Sequence, residues 1–180
     1  MKKVSLFCLL LLCTIGVMAQ RVVYDQTNAT GVRTVVCEGM NLGAYDGVSV
    51  YVALAGLQYK STVRYSLVVT IGADHEVSVP AGSRCVLTLD NGKLLELPTV
   101  GGGAAVLQQV DVVMDEAYAN YRRFAYYNFR TKDLKKLLKN GLAQVDFPLQ
   151  PNSYVVSFPQ NELGQQLAAS YTFLKSFFDK

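Results

Sequence analysis

The side chains that could carry acid–base or metal chemistry are few and scattered in this sequence. The only histidine, His75, stands between Asp74 and Glu76, and a zinc site would need further ligands at suitable spacing. No Gly-x-Ser-x-Gly nucleophile motif occurs. The adjacent carboxylates at 115–116 point apart in an extended chain and so cannot flank one bond. We therefore predict a non-enzymatic protein that needs no cofactor and has no metal site.

Two cysteines, Cys37 and Cys85, lie in the strand-like segments RTVVCEG and SRCVLTL. In an oxidising compartment they could form a disulfide, which would stabilise the fold by about 4 kcal/mol. They could equally be two buried thiols that act as small hydrophobic residues. The sequence does not place their Cβ atoms, so both alternatives stay open. A dyad of either thiol with His75 is also open, although the Val and Leu neighbours favour inert cysteines.

Basic and aromatic residues are concentrated in YRRFAYYNFRTKDLKKLLKN, residues 121–140. Residues 120–140 carry seven cations and one acid, so this stretch could bind an anionic ligand or partner. The simpler interpretation is a strand followed by an amphipathic helix whose lysines face water. Glycines do not separate the aromatics as in ribonucleoprotein motifs, so nucleic acid is not a predicted partner. The candidate ligand-binding residues are Tyr126, Tyr127, Lys135 and Lys136.

The first nineteen residues have the pattern of a secretory signal peptide. Lys2 and Lys3 precede an apolar run over residues 4–17, and Val17 and Ala19 occupy the −3 and −1 positions of a cleavage site. The run is short for a membrane span, and no cysteine stands where a lipoprotein would need it. We expect cleavage after Ala19 and a single β-rich domain over residues 20–180. The mature chain has fifteen basic and fourteen acidic residues, a net charge of about +1.

The mature chain up to about residue 100 reads as successive strands separated by Gly, Asp and Asn. We predict them at Val22–Tyr24, Arg33–Cys37, Val48–Leu54, Val63–Ile71, Glu76–Val79, Arg84–Leu89 and Leu94–Leu97. The turn Asp90-Asn91-Gly92 predicts a hairpin between the last two. Gly101–Gly103 predicts a flexible connection between two halves of the domain. Residues 106–127 fit both helical and strand spacing, and their aromatic content favours a strand.

Two helices follow in the carboxy-terminal third of the chain. Residues 131–140 place Leu134, Leu137 and Leu138 on one side and lysines on the other, with Thr131 as a cap and Gly141 as the stop. Two strands, 143–149 and 154–158, come next. The final helix, 161–178, has an apolar stripe suited to packing on a sheet. The fold class predicted is α+β and mainly β, an antiparallel sheet or β-sandwich with two packed amphipathic helices.

The segments YYNFRTKDLKKLLKNGLAQVDFPL, YVVSF and NELGQQLAASYTFLKSF, preceded by the hairpin DNGKLLEL, resemble small uncharacterised exported proteins of Gram-negative gut bacteria. The resemblance covers roughly residues 84–178 and its motifs are structural. It implies an α+β domain of unknown activity, located in the periplasm or on the outer surface of the cell. It carries no functional residue over to this chain.

These observations predict an exported module of the cell envelope that binds a protein or another surface partner and has no membrane span after signal cleavage. The alternative is a β-domain that binds a small glycan or lipid through tyrosines such as Tyr118, Tyr126 and Tyr127. An interaction module should expose an apolar patch or a free sheet edge. A ligand binder should have a concave pocket with converging polar groups.

Overall fold

The computed structural model describes residues 20–100, 103–104, 106–113 and 116–179. Thirteen strands and two helices occur in these ranges, so the predicted class, α+β and mainly β, is confirmed. The strands are β1 Val22–Thr27, β2 Arg33–Cys37, β3 Met40–Tyr45, β4 Val48–Tyr59, β5 Thr62–Ala73, β6 Ser78–Val79, β7 Arg84–Thr88, β8 Leu94–Val100, β9 Gly103–Ala104, β10 Val106–Val113, β11 Glu116–Asn128, β12 Gln144–Phe147 and β13 Tyr154–Ser157. The helices are α1 Thr131–Asn140 and α2 Glu162–Phe178.

Eleven of the strands form one antiparallel sheet. Its order is β1-β2-β4-β5-β11-β8-β7-β12-β13, with β3 also pairing β4 and β10 also pairing β11. The two long strands β4 and β5 pair along their full twelve residues, from Val48 opposite Ala73 to Tyr59 opposite Thr62. They form the centre on which the rest of the sheet is arranged. The short strands β6 and β9 pair separately.

Strand side chains alternate between two faces of this sheet, as the period of two requires. In β4, Val48, Val50, Val52 and Leu54 are buried on the face that also carries the helices, here called the front face. The residues between them lie on the opposite, back face. The same alternation along β5 and β11 places Leu67, Val69, Ile71, Ala125 and Tyr127 in the front-face core.

Helix α1 begins and ends at the predicted residues, but Thr131 does not cap it. Arg130 is the N-cap residue, and no side chain makes a capping hydrogen bond. The first turn is held instead by Asp133, which is buried and pairs with the Arg130 guanidinium and with the Lys136 ammonium at 3.6 Å. Gly141 ends the helix at φ +74°, as predicted, and its N–H donates to the Leu137 carbonyl.

The apolar stripes of both helices face the core. Leu134 and Leu137 of α1 are buried, as are Leu163, Leu167 and Leu174 of α2. Helix α2 lies on β4 and β2, and the ring of Phe178 sits against Gly56, where a Cβ atom would be only 2.3 Å from the ring. The absence of a side chain at residue 56 therefore permits this close approach. Neither described helix has the length and apolar character needed to cross a membrane.

Several strands differ from the predicted set. The segment Met40–Tyr45 forms β3, which was not predicted because Asn41 and Gly43 interrupt its pattern. The predicted strand at residues 76–79 is reduced to β6. Of the ambiguous residues 106–127, the described ones, 106–113 and 116–127, are strands, as their aromatic content indicated. Of the predicted flexible connection, residues 101 and 102 lie outside the described residues, and Gly103 belongs to β9.

Candidate functional site: an apolar groove on the back of the sheet

The residues proposed for acid–base or metal chemistry do not come together. His75 Nδ1 lies 2.7 Å from Asp74 Oδ1 in an exposed pair beside a cavity of only about 30 Å³. No cluster of three or more His, Cys, Asp or Glu suited to a metal ion occurs within the described ranges. Of the carboxylate pair, Asp115 lies outside the described residues, and Glu116 begins β11.

Cys37 and Cys85 are free and buried, so the structure has no disulfide between them. Cys37 on β2 directs its Sγ toward the Ser170 carbonyl of α2, at 3.9 Å. Cys85 lies on β7, near Tyr127 and Asp146. Each thiol therefore packs against its own neighbours in the core. Burial raises the pKa of Cys37 to about 11 and that of Cys85 well above its ordinary value, so both thiols are weak nucleophiles.

The tyrosine candidates divide between the two faces of β11. Tyr127 is fully buried, and its ring centroid lies 6.2 Å from that of Phe147. It is therefore a core residue. Tyr126 lies on the back face and is 44% exposed. For Tyr118 the structure describes the backbone of β11 alone.

The basic candidates lie on one exposed side of α1. Lys135 and Lys136 are exposed, as are Lys132 and Lys139. Their position follows from the burial of Leu134 and Leu137 on the opposite side of the helix. The interpretation of 131–140 as an amphipathic helix with leucines inside and lysines outside is confirmed.

A concave feature of the described residues lies on the back face, across β1, β2, β4, β5 and β11. It is a groove of about 550 Å³, here called the back-face groove. Its lining consists of Val23, Tyr24, Thr34, Val36, Tyr51, Ala53, Leu57, Val68, Thr70, Phe124 and Tyr126. Five strands spaced by about 4.8 Å give this face a width of about 19 Å.

The register of the sheet builds the floor and one wall of the groove. Thr70 pairs with Tyr51 on one side and with Phe124 on the other. In the next row, Val68 pairs with Ala53 and with Tyr126. The floor therefore combines Ala53, Val68 and Thr70 with the ring of Tyr51, and the aromatic residues Phe124 and Tyr126 follow on β11.

The opposite wall comes from the edge strand β1, where Val23 and Tyr24 are exposed. The Tyr24 hydroxyl donates to the Gln26 side chain at 3.0 Å, and Tyr24 pairs with Val36 of β2. Within the floor, the Tyr51 hydroxyl accepts the Gly39 N–H at 2.6 Å, which fixes its ring. A Cβ at residue 39 would approach the Val52 carbonyl oxygen to 2.0 Å, so this arrangement requires glycine.

The chemistry of the groove is apolar with a few hydroxyl groups. Its described lining contains aliphatic and aromatic side chains, two threonines and three tyrosines, and none of these is charged at neutral pH. A surface of this kind removes apolar area of a partner from water.

Sequence reasoning missed most of this groove. The usable signal was in β4, where Tyr51, Ala53 and Leu57 make the back face apolar as well as the front. A strand that is apolar on both faces is expected to be covered on both. The residues from β1 and β2 are brought to the groove by pairing in the sheet, which no local pattern shows.

Comparison with family models, with curated proteins and with solved structures finds no match to this chain. The resemblance to exported Gram-negative proteins therefore remains an expectation from the sequence.

Proposed function

We propose that this protein is an exported, non-enzymatic interaction module of the periplasm or cell envelope, and that its back-face groove binds an apolar surface of a partner protein. The groove itself is the observation that carries the proposal. Exposed apolar surface that is contiguous and concave marks interaction sites on proteins. Phe124 and Tyr126 suit such a role, because aromatic residues are enriched in the cores of protein interfaces.

The free edge of β1 supports a protein partner over a small molecule. β1 is the terminal strand of the sheet and pairs with β2, and no described strand pairs with its outer edge. Its one charged residue, Asp25, is neutralised by Arg33 at 2.7 Å. An extended segment that paired with this edge would lie beside Val23 and Tyr24, so that its side chains could enter the groove.

A small apolar ligand such as a lipid is the second candidate, and the volume of the groove favours it. About 550 Å³ falls within the range of ligand pockets, roughly 300–1,000 Å³. A glycan is less well matched, because the described lining has no carboxylate or amide to bind sugar hydroxyls. The proposal of export rests on the amino-terminal sequence pattern. Determination of the first residue of the mature protein tests it directly.

Photo-crosslinking in producing cells tests the proposal. A photoreactive amino acid replaces Phe124 in the groove or, as a matched control, Leu94, which is exposed on β8 outside it. We expect a polypeptide adduct from position 124 and none from position 94. A lipid adduct at position 124 would favour the second candidate.

The absence of any specific adduct at position 124 would contradict both candidates. A second pair of variants tests whether formation of the adduct depends on the aromatic side chains of the groove. Phe124→Ser with Tyr126→Ser should abolish the adduct formed by a photoreactive residue at Val36, whereas Leu94→Ser with Val155→Ser should leave it unchanged. All four side chains are about half exposed, so each substitution should lower the free energy of unfolding by a similar amount, about 1–2 kcal/mol.

A further inference from the structure

One exposed side of α1 carries an uninterrupted group of positive charges. Arg130, Lys132, Lys135, Lys136 and Lys139 are all exposed and are here called the basic face. The one acid of the helix, Asp133, is buried beneath this face and is paired with Arg130 and Lys136. The side that meets solvent therefore presents five cations and no carboxylate from the helix itself.

The burial of the leucines fixes this face in position. Leu134 and Leu137 are almost completely buried and Leu138 is partly buried, so the helix cannot turn its lysines inward. Beyond the helix, Asp90 is exposed and lies beside Gly141, after the last turn. The positive charge is thus a property of the folded surface, and Asp133 offsets only one of its five charges.

The rest of the chain has a net charge of the opposite sign to that of the basic face. Residues 120–140 carry a net charge of +6, and the remainder of residues 20–180 carries eight cations and thirteen acids. A molecule with this distribution is oriented by a negatively charged surface, with the basic face toward it. α1 packs on the front face of the sheet, opposite the back-face groove, so both surfaces are free at once.

We infer that the basic face binds the phosphate head groups of an anionic membrane surface. Four of its five cations are lysines, which act as hydrated point charges, whereas recognition of a single phosphate usually employs the planar arginine fork. Neither the back-face groove nor the small cavity beside His75 is lined by residues of this face, so neither would enclose an anion bound there. Clusters of four to eight basic residues on one side of an amphipathic helix are typical of binding to anionic lipid. Because the apolar side of α1 is already buried in the core, the binding is electrostatic and the helix does not insert.

Vesicle co-sedimentation of the mature protein tests this inference. The probes are vesicles of phosphatidylcholine alone and vesicles of phosphatidylcholine and phosphatidylglycerol in equal parts. We expect binding to the anionic vesicles only, and loss of that binding when salt is raised well above about 0.15 M, where charges are screened beyond about 8 Å.

A pair of charge-matched variants locates the surface. Lys132→Glu with Lys135→Glu removes positive charge from the basic face without touching the Asp133 pairs. Lys60→Glu with Lys175→Glu makes the same change in net charge at exposed lysines outside α1. We expect the first variant to lower the partition coefficient by at least about tenfold and the second by less than about threefold.

Equal losses in the two variants would show an effect of net charge alone and would overturn the inference. So would equal binding to neutral and anionic vesicles, or retention on heparin without binding to anionic vesicles, which would indicate an acidic polymer. Circular dichroism melting of each variant shows whether it is folded. The milder substitution Lys135→Gln should cause an intermediate loss of binding to anionic vesicles. These outcomes are independent of the groove, whose occupant is tested separately.

Discussion

Tyr126 and Tyr127 are adjacent in the sequence and have opposite roles in the structure. Tyr127 is enclosed in the core, where burial raises the pKa of its phenol far above the ordinary value. Tyr126 stands on the wall of the groove. Alternation along a strand places the two tyrosines on opposite faces, but which face is buried is decided by the pairing of β11 with β5.

The buried thiols predict a loss of stability at alkaline pH. In the folded protein the pKa of Cys37 is raised to about 11 from an ordinary value of 9.0, so the neutral thiol is favoured by folding. Its contribution is complete below pH 9 and is lost as the pH rises through 9 toward 11, by at most about 1.4 kcal/mol per pH unit. Urea unfolding at a series of pH values measures this fall.

Cys37→Ala is the control for this prediction. It should lower stability at every pH through lost packing and should make the decline above pH 9 shallower. An equally steep decline in the variant would assign the effect to other groups. Both native thiols should also resist a thiol reagent at pH 8 in the folded protein and react after unfolding, with no change of mass on reduction.

The inward orientation of the α1 leucines has a direct energetic consequence. Leu137 is 1% exposed, so Leu137→Ala leaves a cavity and should lower the free energy of unfolding by about 2–5 kcal/mol. Lys135→Ala, on the exposed side of the same helix, should change it by about 0.5 kcal/mol or less. Chemical denaturation of the two variants gives the comparison. Similar effects at the two positions would contradict the orientation of the helix.

At the scale of elements, the connection between α1 and α2 depends on Asn161. It stands before α2 with a positive φ of 56°, and its Oδ1 accepts the Leu142 N–H at 2.7 Å. Its side chain thus joins the segment after α1 to the start of α2 instead of capping α2. A Cβ at Gly164 would fall 1.8 Å from the Asn161 Oδ1, so this glycine makes room for the contact.

Replacement of Asn161 separates the contribution of its side-chain hydrogen bond from that of its left-handed backbone conformation. Asn161→Ala loses the hydrogen bond and places a residue with a Cβ in the left-handed region, which should cost about 2–4 kcal/mol in total. Asn161→Gly loses the bond but tolerates the backbone conformation, so it should cost about 1–2 kcal/mol. Thermal or urea unfolding distinguishes them. If alanine were no worse than glycine, the backbone at residue 161 would not be constrained in this way.

Elements with strong local signals could be predicted from the sequence, and elements that depend on pairing could not. The helix at 131–140 was predicted to the residue, because four lysines, three leucines and a terminal glycine agree. The hairpin at Asn91-Gly92 was also predicted, and Gly92 adopts a φ of +77°. By contrast, β3 is a strand because it pairs with β4 across an irregular register, which no periodicity of its own indicates.

At the scale of the whole molecule, Gln20 marks where the described fold begins. Its side chain accepts a hydrogen bond from the Ser170 hydroxyl of α2 at 2.9 Å. Cleavage after Ala19 would keep this contact between Gln20 and α2. We predict that protein recovered from the envelope fraction begins at Gln20, as amino-terminal sequencing or intact mass measures. Protein that retains residues 1–19 would contradict the proposal of a cleaved signal peptide.

The fold class followed from composition and turns, whereas the groove is a product of the complete sheet. Its walls, β1 and β11, are separated by about a hundred residues in the chain and are brought together across β2, β4 and β5. Long-range pairing of this kind has no local sequence signal. The basic face, by contrast, needs no long-range pairing, because one helix and its N-cap residue Arg130 supply all of its cations.

Thiol accessibility in producing cells tests the occupation of the groove most directly, since Cys37 and Cys85, the two thiols of residues 20–180, are buried. Tyr126→Cys places a reactive thiol in the groove, and Leu94→Cys places one on an exposed strand outside it. We predict that a small maleimide labels both variants in purified protein, and that in intact envelopes position 126 is protected while position 94 still reacts. Equal labelling of the two positions in envelopes, or no labelling of position 126 in the purified protein, would contradict a back-face groove that binds a partner.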